Sequence, residues 1–164
     1  MRKTVREDLI VFALPALIVY SAGLSVSAWD LVKRHILDLQ SLDLLSVQVI
    51  VGLALFVIGM TINVVAVSTL RRFYSSTLVI RDNHRLISHG VYRFVRHPVY
   101  LGVILSSVGM PIGLSSLAGF LTMLILIPLF LNRIRMEERM LTSEFGDAYR
   151  EYMKATKKLI PFIY

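Results

Sequence analysis

Two short clusters of polar residues flank one long apolar stretch. Arg93-Phe94-Val95-Arg96-His97-Pro98-Val99-Tyr100 leads into it, and Arg133, Glu137 and Glu138 follow it. Pro98 suits the first turn of a helix and biases His97 away from helical geometry. His97 therefore stands at a helix entrance, where unpaired backbone N–H groups favour an anion. Arg133 and Glu137, four apart, share a face if the last apolar helix continues outward. Glu138 points about 100° away from Glu137. A planar guanidinium is suited to hold a carboxylate, and a carboxylate to hold an ammonium or a pair of hydroxyls. The chain has no cysteine, which excludes disulfides, thiolate nucleophiles and Cys-ligated metal centres.

Each of these features has an ordinary explanation alone. Arginines beside a membrane helix bind headgroups. An exposed Arg–Glu pair at this spacing contributes roughly 0.3–0.5 kcal/mol. A lone histidine before a helix caps it or is solvated. Their joint occurrence around one apolar hairpin is what favours a site.

The elements that must position them are membrane helices. Of 164 residues, 55% are hydrophobic, too many for an ordinary soluble domain, and the length suggests a single domain, 1–164. Leu9–Ala28 carries no charge and is long enough to cross a hydrocarbon core of about 30 Å. It lacks a small-residue cleavage site behind it and reads as retained. Pro15 is a kink candidate, and Trp29 sits at interface depth. Leu44–Leu70 is a second uncharged run. Its Gly52 and Gly59 lie near one face and admit a close neighbour, and Asn63 is expected to bond another helix. Val99–Leu131 is uncharged but broken by "GMPIGLSS", Gly109–Ser116, so a hairpin of Val99–Met110 and Leu114–Asn132 is predicted. The fold expected is an all-α integral membrane protein with four transmembrane helices, the last two forming the hairpin, plus a cytoplasmic amphipathic helix.

Basic residues orient these spans. The segment Arg71–Pro98 holds six arginines and one aspartate, the tail after Asn132 holds seven lysines or arginines, and the hairpin tip holds no charge. Both termini and the long second loop are therefore expected in the cytoplasm. The net charge of +7 then faces anionic headgroups rather than nucleic acid. Segments 71–98 and 133–164 gather on that one side. In the first, "TLVI" (77–80) reads as extended and "RDNH" (81–84) as a turn. In the second, Phe145, Tyr149 and Tyr152 form an amphipathic stripe that either lies on the bilayer or caps the site. Pro161 ends helix.

"HRLISHGVYRFVRHPVYLG", then the hairpin, then "EERMLTSEFGDAYREYMKATKKLIPF" resembles the isoprenylcysteine carboxyl methyltransferase family, within a wider group of membrane methyltransferases that act on phospholipids and isoprenylcysteines. The resemblance covers His84 to Phe162. It rests on Arg-His-Pro-x-Tyr, the Glu-Glu pair and Phe-Gly-x-x-Tyr. It implies S-adenosyl-L-methionine as methyl donor. By the resemblance, the cofactor contacts are His84, Arg85, Leu86, Ile87, Tyr92, His97, Pro98, Val99, Tyr100 and Glu137. Arg133 matches the arginine used toward substrate, and Glu138 the second, motif-defining glutamate. Upstream, "SSTLVIRDN" departs from the family pattern.

The acceptor implied is lipophilic and arrives from the bilayer. A carboxylate acceptor is already ionised at neutral pH and needs no base, whereas an amine needs one, from Glu138 or a histidine. Carboxyl O-methylation of an isoprenylcysteine-like acid is the leading expectation. Phospholipid or amine N-methylation and thiol S-methylation stand second. A sterol-type NADPH reductase and a non-enzymatic membrane adaptor stand further off. No metal site is expected.

Overall fold

The computed structural model describes residues 9–34, 46–71 and 86–161. Every regular element among them is helical. A π-helical turn, Leu9–Ala13, runs into α1 (Leu14–Val32). Pro15 lies in the first turn of α1 and has no N–H for the carbonyl four residues back, so the expected irregularity appears as that π turn. α2 spans Val47–Leu70. A 3₁₀ turn, Gly90–Arg93, precedes α3 (Pro98–Gly113). α4 (Leu117–Leu124), α5 (Leu126–Phe145) and α6 (Asp147–Ala155) complete the order.

Three segments are long and apolar enough to cross a membrane: Ile10–Val32, Val47–Leu70 and Leu117–Phe145. α3 is apolar but has only 16 residues. The second arm of the hairpin also departs from the expected single helix. Pro128 offers no N–H to the carbonyl of Leu124, and the helix is interrupted at Ile125 between α4 and α5. The tip forms at Leu114–Ser116, later than expected, because Pro111 is tolerated inside the last turn of α3.

α2 exposes most of its apolar side chains and buries Gly52, Gly59 and Ala66. The two glycines meet Gly102 and Gly109 of α3 backbone to backbone. A Cβ on Gly59 would lie 2.6 Å from the Gly102 carbonyl oxygen, and one on Gly52 would lie 2.6 Å from that of Gly109. This contact realises the close neighbour read from the glycine spacing. Asn63 extends it by donating from Nδ2 to the Val99 carbonyl at 3.3 Å.

α1 packs on α4, where Gly119 closes on the buried Ser27. Ser116 caps α4 by accepting from Gly119 N and donates to Asp30. Arg34 donates to the Leu114 carbonyl. The C-terminal end of α1 and the hairpin tip therefore share one end of the molecule. Phe12, before α1, packs on Phe130 of α5 at the other. Between them Met123, Leu126 and Phe130 form the core, with Ala16, Tyr20, Leu24, Tyr100 and Ile104 against it.

α5 carries the chain beyond its apolar run, as the Arg133–Glu137 spacing required. The aromatic stripe does not lie on one helix: Gly146, at φ +54°, breaks it after Phe145. Tyr149 and Tyr152 sit on α6 and turn inward. Tyr149 is 1% exposed, and Tyr152 donates to the Tyr92 carbonyl at 2.7 Å. Through these two tyrosines the stripe caps the polar end of the bundle. Helix ends at Ala155, six residues before Pro161.

Candidate active site

After α6 the chain returns alongside the entrance of α3. Arg96 N donates to the Lys157 carbonyl (2.8 Å), His97 N to that of Lys158 (3.1 Å), and Lys157 N to that of Phe94 (3.2 Å). Val95 and Lys157 pair in parallel. Pro98, buried at the first turn, starts α3 from this bound strap, and His97 is held outside helical geometry at φ −124°, ψ 56°.

Glu138 lies at the centre of this junction. Its Oε1 accepts from Arg96 Nε at 2.9 Å and lies 3.4 Å from His97 Nε2. Its Oε2 lies 3.1 Å from Lys158 Nζ. Arg96 also donates to the carbonyls of Met153 and Thr156. The apolar run of the spanning segment ends at Leu131, so this cluster lies beyond it. Burial alone would push the Glu138 carboxyl up, but His97, Arg96 and Lys158 overcome that and hold it well below the usual carboxylate range.

Glu137 faces elsewhere, as the 100° offset required. Its Oε2 accepts from the Tyr100 hydroxyl at 2.7 Å, and the same hydroxyl oxygen accepts from Arg133 Nε at 2.9 Å. Arg133 and Glu137 are thus joined through Tyr100. Arg133 is only 4% exposed, and its guanidinium lies 4.4 Å above the Phe12 ring centroid. Phe130 packs on both Tyr100 and Phe12.

Of the expected cofactor residues, His97, Pro98, Val99, Tyr100 and Glu137 come together around the entrance of α3. Tyr92 is buried beneath it, its carbonyl engaged by Tyr152. Leu86 and Ile87 are half-buried in a segment without regular structure, and Ile87 lines a cleft with Thr69 and Gly90. His84 and Arg85, and the "TLVI" and "RDNH" stretches, lie outside the described residues. Sequence reasoning missed the work of Arg96, Lys158 and Phe12. Arg96 stood inside the quoted motif and so was discoverable. Lys158 and Phe12 carry no local pattern that separates them from a basic tail and a lipid-facing aromatic.

A carboxylate, a phenol and a buried guanidinium in one chain of hydrogen bonds, beside a helix entrance, can bind an amino acid-bearing cofactor and orient an anionic acceptor. Residues 51–143 match the sequence model of the Isoprenylcysteine carboxyl methyltransferase (ICMT) family. The chain is 39% identical over 116 residues to the probable protein-S-isoprenylcysteine O-methyltransferase of Oryza sativa subsp. indica, covering 69% of this chain and 61% of that one. It is 32% identical over 115 residues to protein-S-isoprenylcysteine O-methyltransferase A of Arabidopsis thaliana, covering 68% and 58%. The chain therefore spans about three-fifths of the length of these plant relatives. In three dimensions it resembles the eukaryotic intramembrane Ras methyltransferase ICMT, with a TM-score of 0.76 and 28% identity over 88% of this chain and 52% of that one. With its family match covering more than half of the sequence and its fold shared with an intramembrane member, this chain belongs to the isoprenylcysteine carboxyl methyltransferase family.

Proposed function

We propose that this protein transfers a methyl group from S-adenosyl-L-methionine to the carboxylate of a lipophilic, isoprenylcysteine-like acceptor that enters from the bilayer. The observation that carries this reading is the Arg133–Tyr100–Glu137 chain, in which a buried cation and a carboxylate are set on opposite sides of one phenol. The donor set suits the cofactor. Glu137 takes the ribose hydroxyls or the ammonium, the N–H groups at the start of α3 take the carboxylate tail, and Ile87 and Val99 line an apolar slot for adenine. Tyr92, His97, Pro98 and Tyr100 support that pocket, and the family motif alone assigns His84, Arg85 and Leu86 to it.

The cofactor supplies an electrophilic methyl group on a sulfonium. The chain's own task is to position and to exclude water. Arg133 holds the acceptor carboxylate through its planar fork, and Tyr100 fixes that fork against Glu137. Glu138 departs from the role in which it would act on the acceptor. A carboxylate held ionised by three neighbours is a poor general base, and its contacts fit an anchor that joins α5, the entrance of α3 and the tail strap. The weak basicity of Glu138 favours a carboxylate acceptor over an amine.

The same reading places four crossings in the membrane. α3 is about 24 Å long at 1.5 Å per residue, and contacts with Asp30 and Arg34 tie the hairpin tip to the C-terminal end of α1. The hairpin tip then faces outward, while the site, α6 and both termini face the cytoplasm, in line with the arginine bias. Segments 71–98 and 133–164 form the cofactor face of a single membrane domain. Partners are membrane lipids and a lipidated substrate. Transfer of radiolabelled methyl to a prenylcysteine, giving a base-labile product, tests the proposal. Label entering only phosphatidylethanolamine, in base-stable form, would overturn it in favour of N-methylation.

A further inference from the structure

We infer that Phe12 is a positioning residue for the acceptor arginine, so that the first helix forms part of the acceptor site. The inference rests on the proposed role of Arg133.

A guanidinium that must present a carboxylate-binding edge needs its plane fixed in two senses. The Nε–H bond to Tyr100 at 2.9 Å fixes one edge. The Phe12 ring, 4.4 Å from the guanidinium carbon, fixes a face. Phe12 is itself held by Phe130 at a centroid distance of 5.4 Å, and Phe130 holds Tyr100 at 5.7 Å. The three rings thus make a linked wall on which the cation rests. Arg133 is 4% exposed at the edge of an apolar core, where an aromatic face compensates lost hydration better than an aliphatic one does. Phe12 lies outside the 51–143 family match and within the irregular π turn, Leu9–Ala13, that precedes α1. That turn sets which side chain of the chain's first segment meets Arg133. A helix segment remote from the motif therefore tunes how tightly the acceptor is held.

The test compares Phe12→Leu, which keeps apolar bulk and removes the π face, with Phe12→Trp, which restores it. Methyl transfer to a prenylcysteine carboxylate is measured with binding of S-adenosylhomocysteine by calorimetry and with thermal melting. F12L should lower kcat/KM for the acceptor by about five- to tenfold. Adenosylhomocysteine affinity and melting should stay close to wild type, and F12W should recover most of the loss. A loss of cofactor affinity and melting temperature equal to the loss of activity would overturn the inference, because it would make Phe12 a core residue only. So would an F12L enzyme with wild-type kcat/KM. A wild-type protein that neither binds adenosylhomocysteine nor transfers methyl would overturn the underlying reading, and this inference with it.

Discussion

Replacing Arg133 by lysine keeps the positive charge and removes the planar fork. Arginine near a membrane surface needs only charge to act as an anchor, and lysine serves that purpose equally well. An arginine that holds a carboxylate needs its geometry, which an ammonium does not copy. In this protein Arg133 Nε donates to Tyr100 at 2.9 Å and its plane lies over Phe12 at 4.4 Å. A hydrogen bond from a charged group contributes about 1.5–3 kcal/mol. Lysine can recover part of that with its own N–H donors, so a net loss of at least about 1.4 kcal/mol in the barrier, or tenfold in rate, is expected. Initial rates of radiolabelled methyl transfer to a prenylcysteine measure it, with adenosylhomocysteine binding and melting as checks that should stay unchanged. Arg139→Lys, an exposed arginine on the same helix, is the matched control and should be nearly silent. Small and equal effects at both positions would refute the reasoning and return Arg133 to membrane anchoring.

Glu137→Gln keeps shape and removes charge, and should weaken adenosylhomocysteine binding by about 1.5–3 kcal/mol in calorimetry; unchanged affinity would reduce Glu137 to a partner of Tyr100. Gly59→Ala places a methyl group 2.6 Å from the Gly102 carbonyl and should destabilise the detergent-solubilised protein by at least about 1–3 kcal/mol, read as a lower unfolding midpoint. The Glu138 carboxyl is depressed from its ordinary 4.5 to about 2, so its contribution to stability is complete above pH 4.5 and is lost as the pH falls toward 2. Melting temperature over that window should therefore fall more steeply in wild type than in Glu138→Gln, and parallel curves would count against the cluster. Because the chain lacks cysteine, Ser115→Cys at the hairpin tip should react with an impermeant maleimide from outside the cell, while Lys157→Cys should react only after permeabilisation.

The residue pattern revealed much of this architecture because membrane insertion writes itself into composition. Uncharged runs marked α1, α2 and the hairpin, and the paired glycines marked a close neighbour, which the structure shows to be α3. What it misplaced depended on backbone detail. Pro128 divides the last span and Pro111 delays the turn, effects that a hydropathy window averages away. The aromatic stripe reads as one helix, lying on the bilayer or capping the site, because the period runs unbroken through Gly146, whereas the helix breaks there. The motif located Tyr100, Glu137 and Arg133 but not their order of contact. The tyrosine between the two ionised groups belongs to a different helix, and only packing brings it there.

Glu137 and Glu138 are adjacent in sequence and act in different environments, because successive residues on a helix point about 100° apart. One carboxylate faces a neutral phenol that also receives the bond from the buried arginine. The other faces Arg96, His97 and Lys158. Removing the Glu138 carboxylate would leave a surplus of cations at the α3–tail junction, whereas Glu137 faces a phenol, so each glutamate is specified by its surroundings and not by the pair. The arrangement also bears on acceptor chemistry. On the proposed reading an amine acceptor must lose a proton, which Glu138, held ionised by its neighbours, is poorly suited to take, while a carboxylate needs only Arg133 to hold it and a dry approach from the membrane. The contacts of the second glutamate tie α5, the tail strap and the entrance of α3 together, and on the proposed reading that is its service to the reaction.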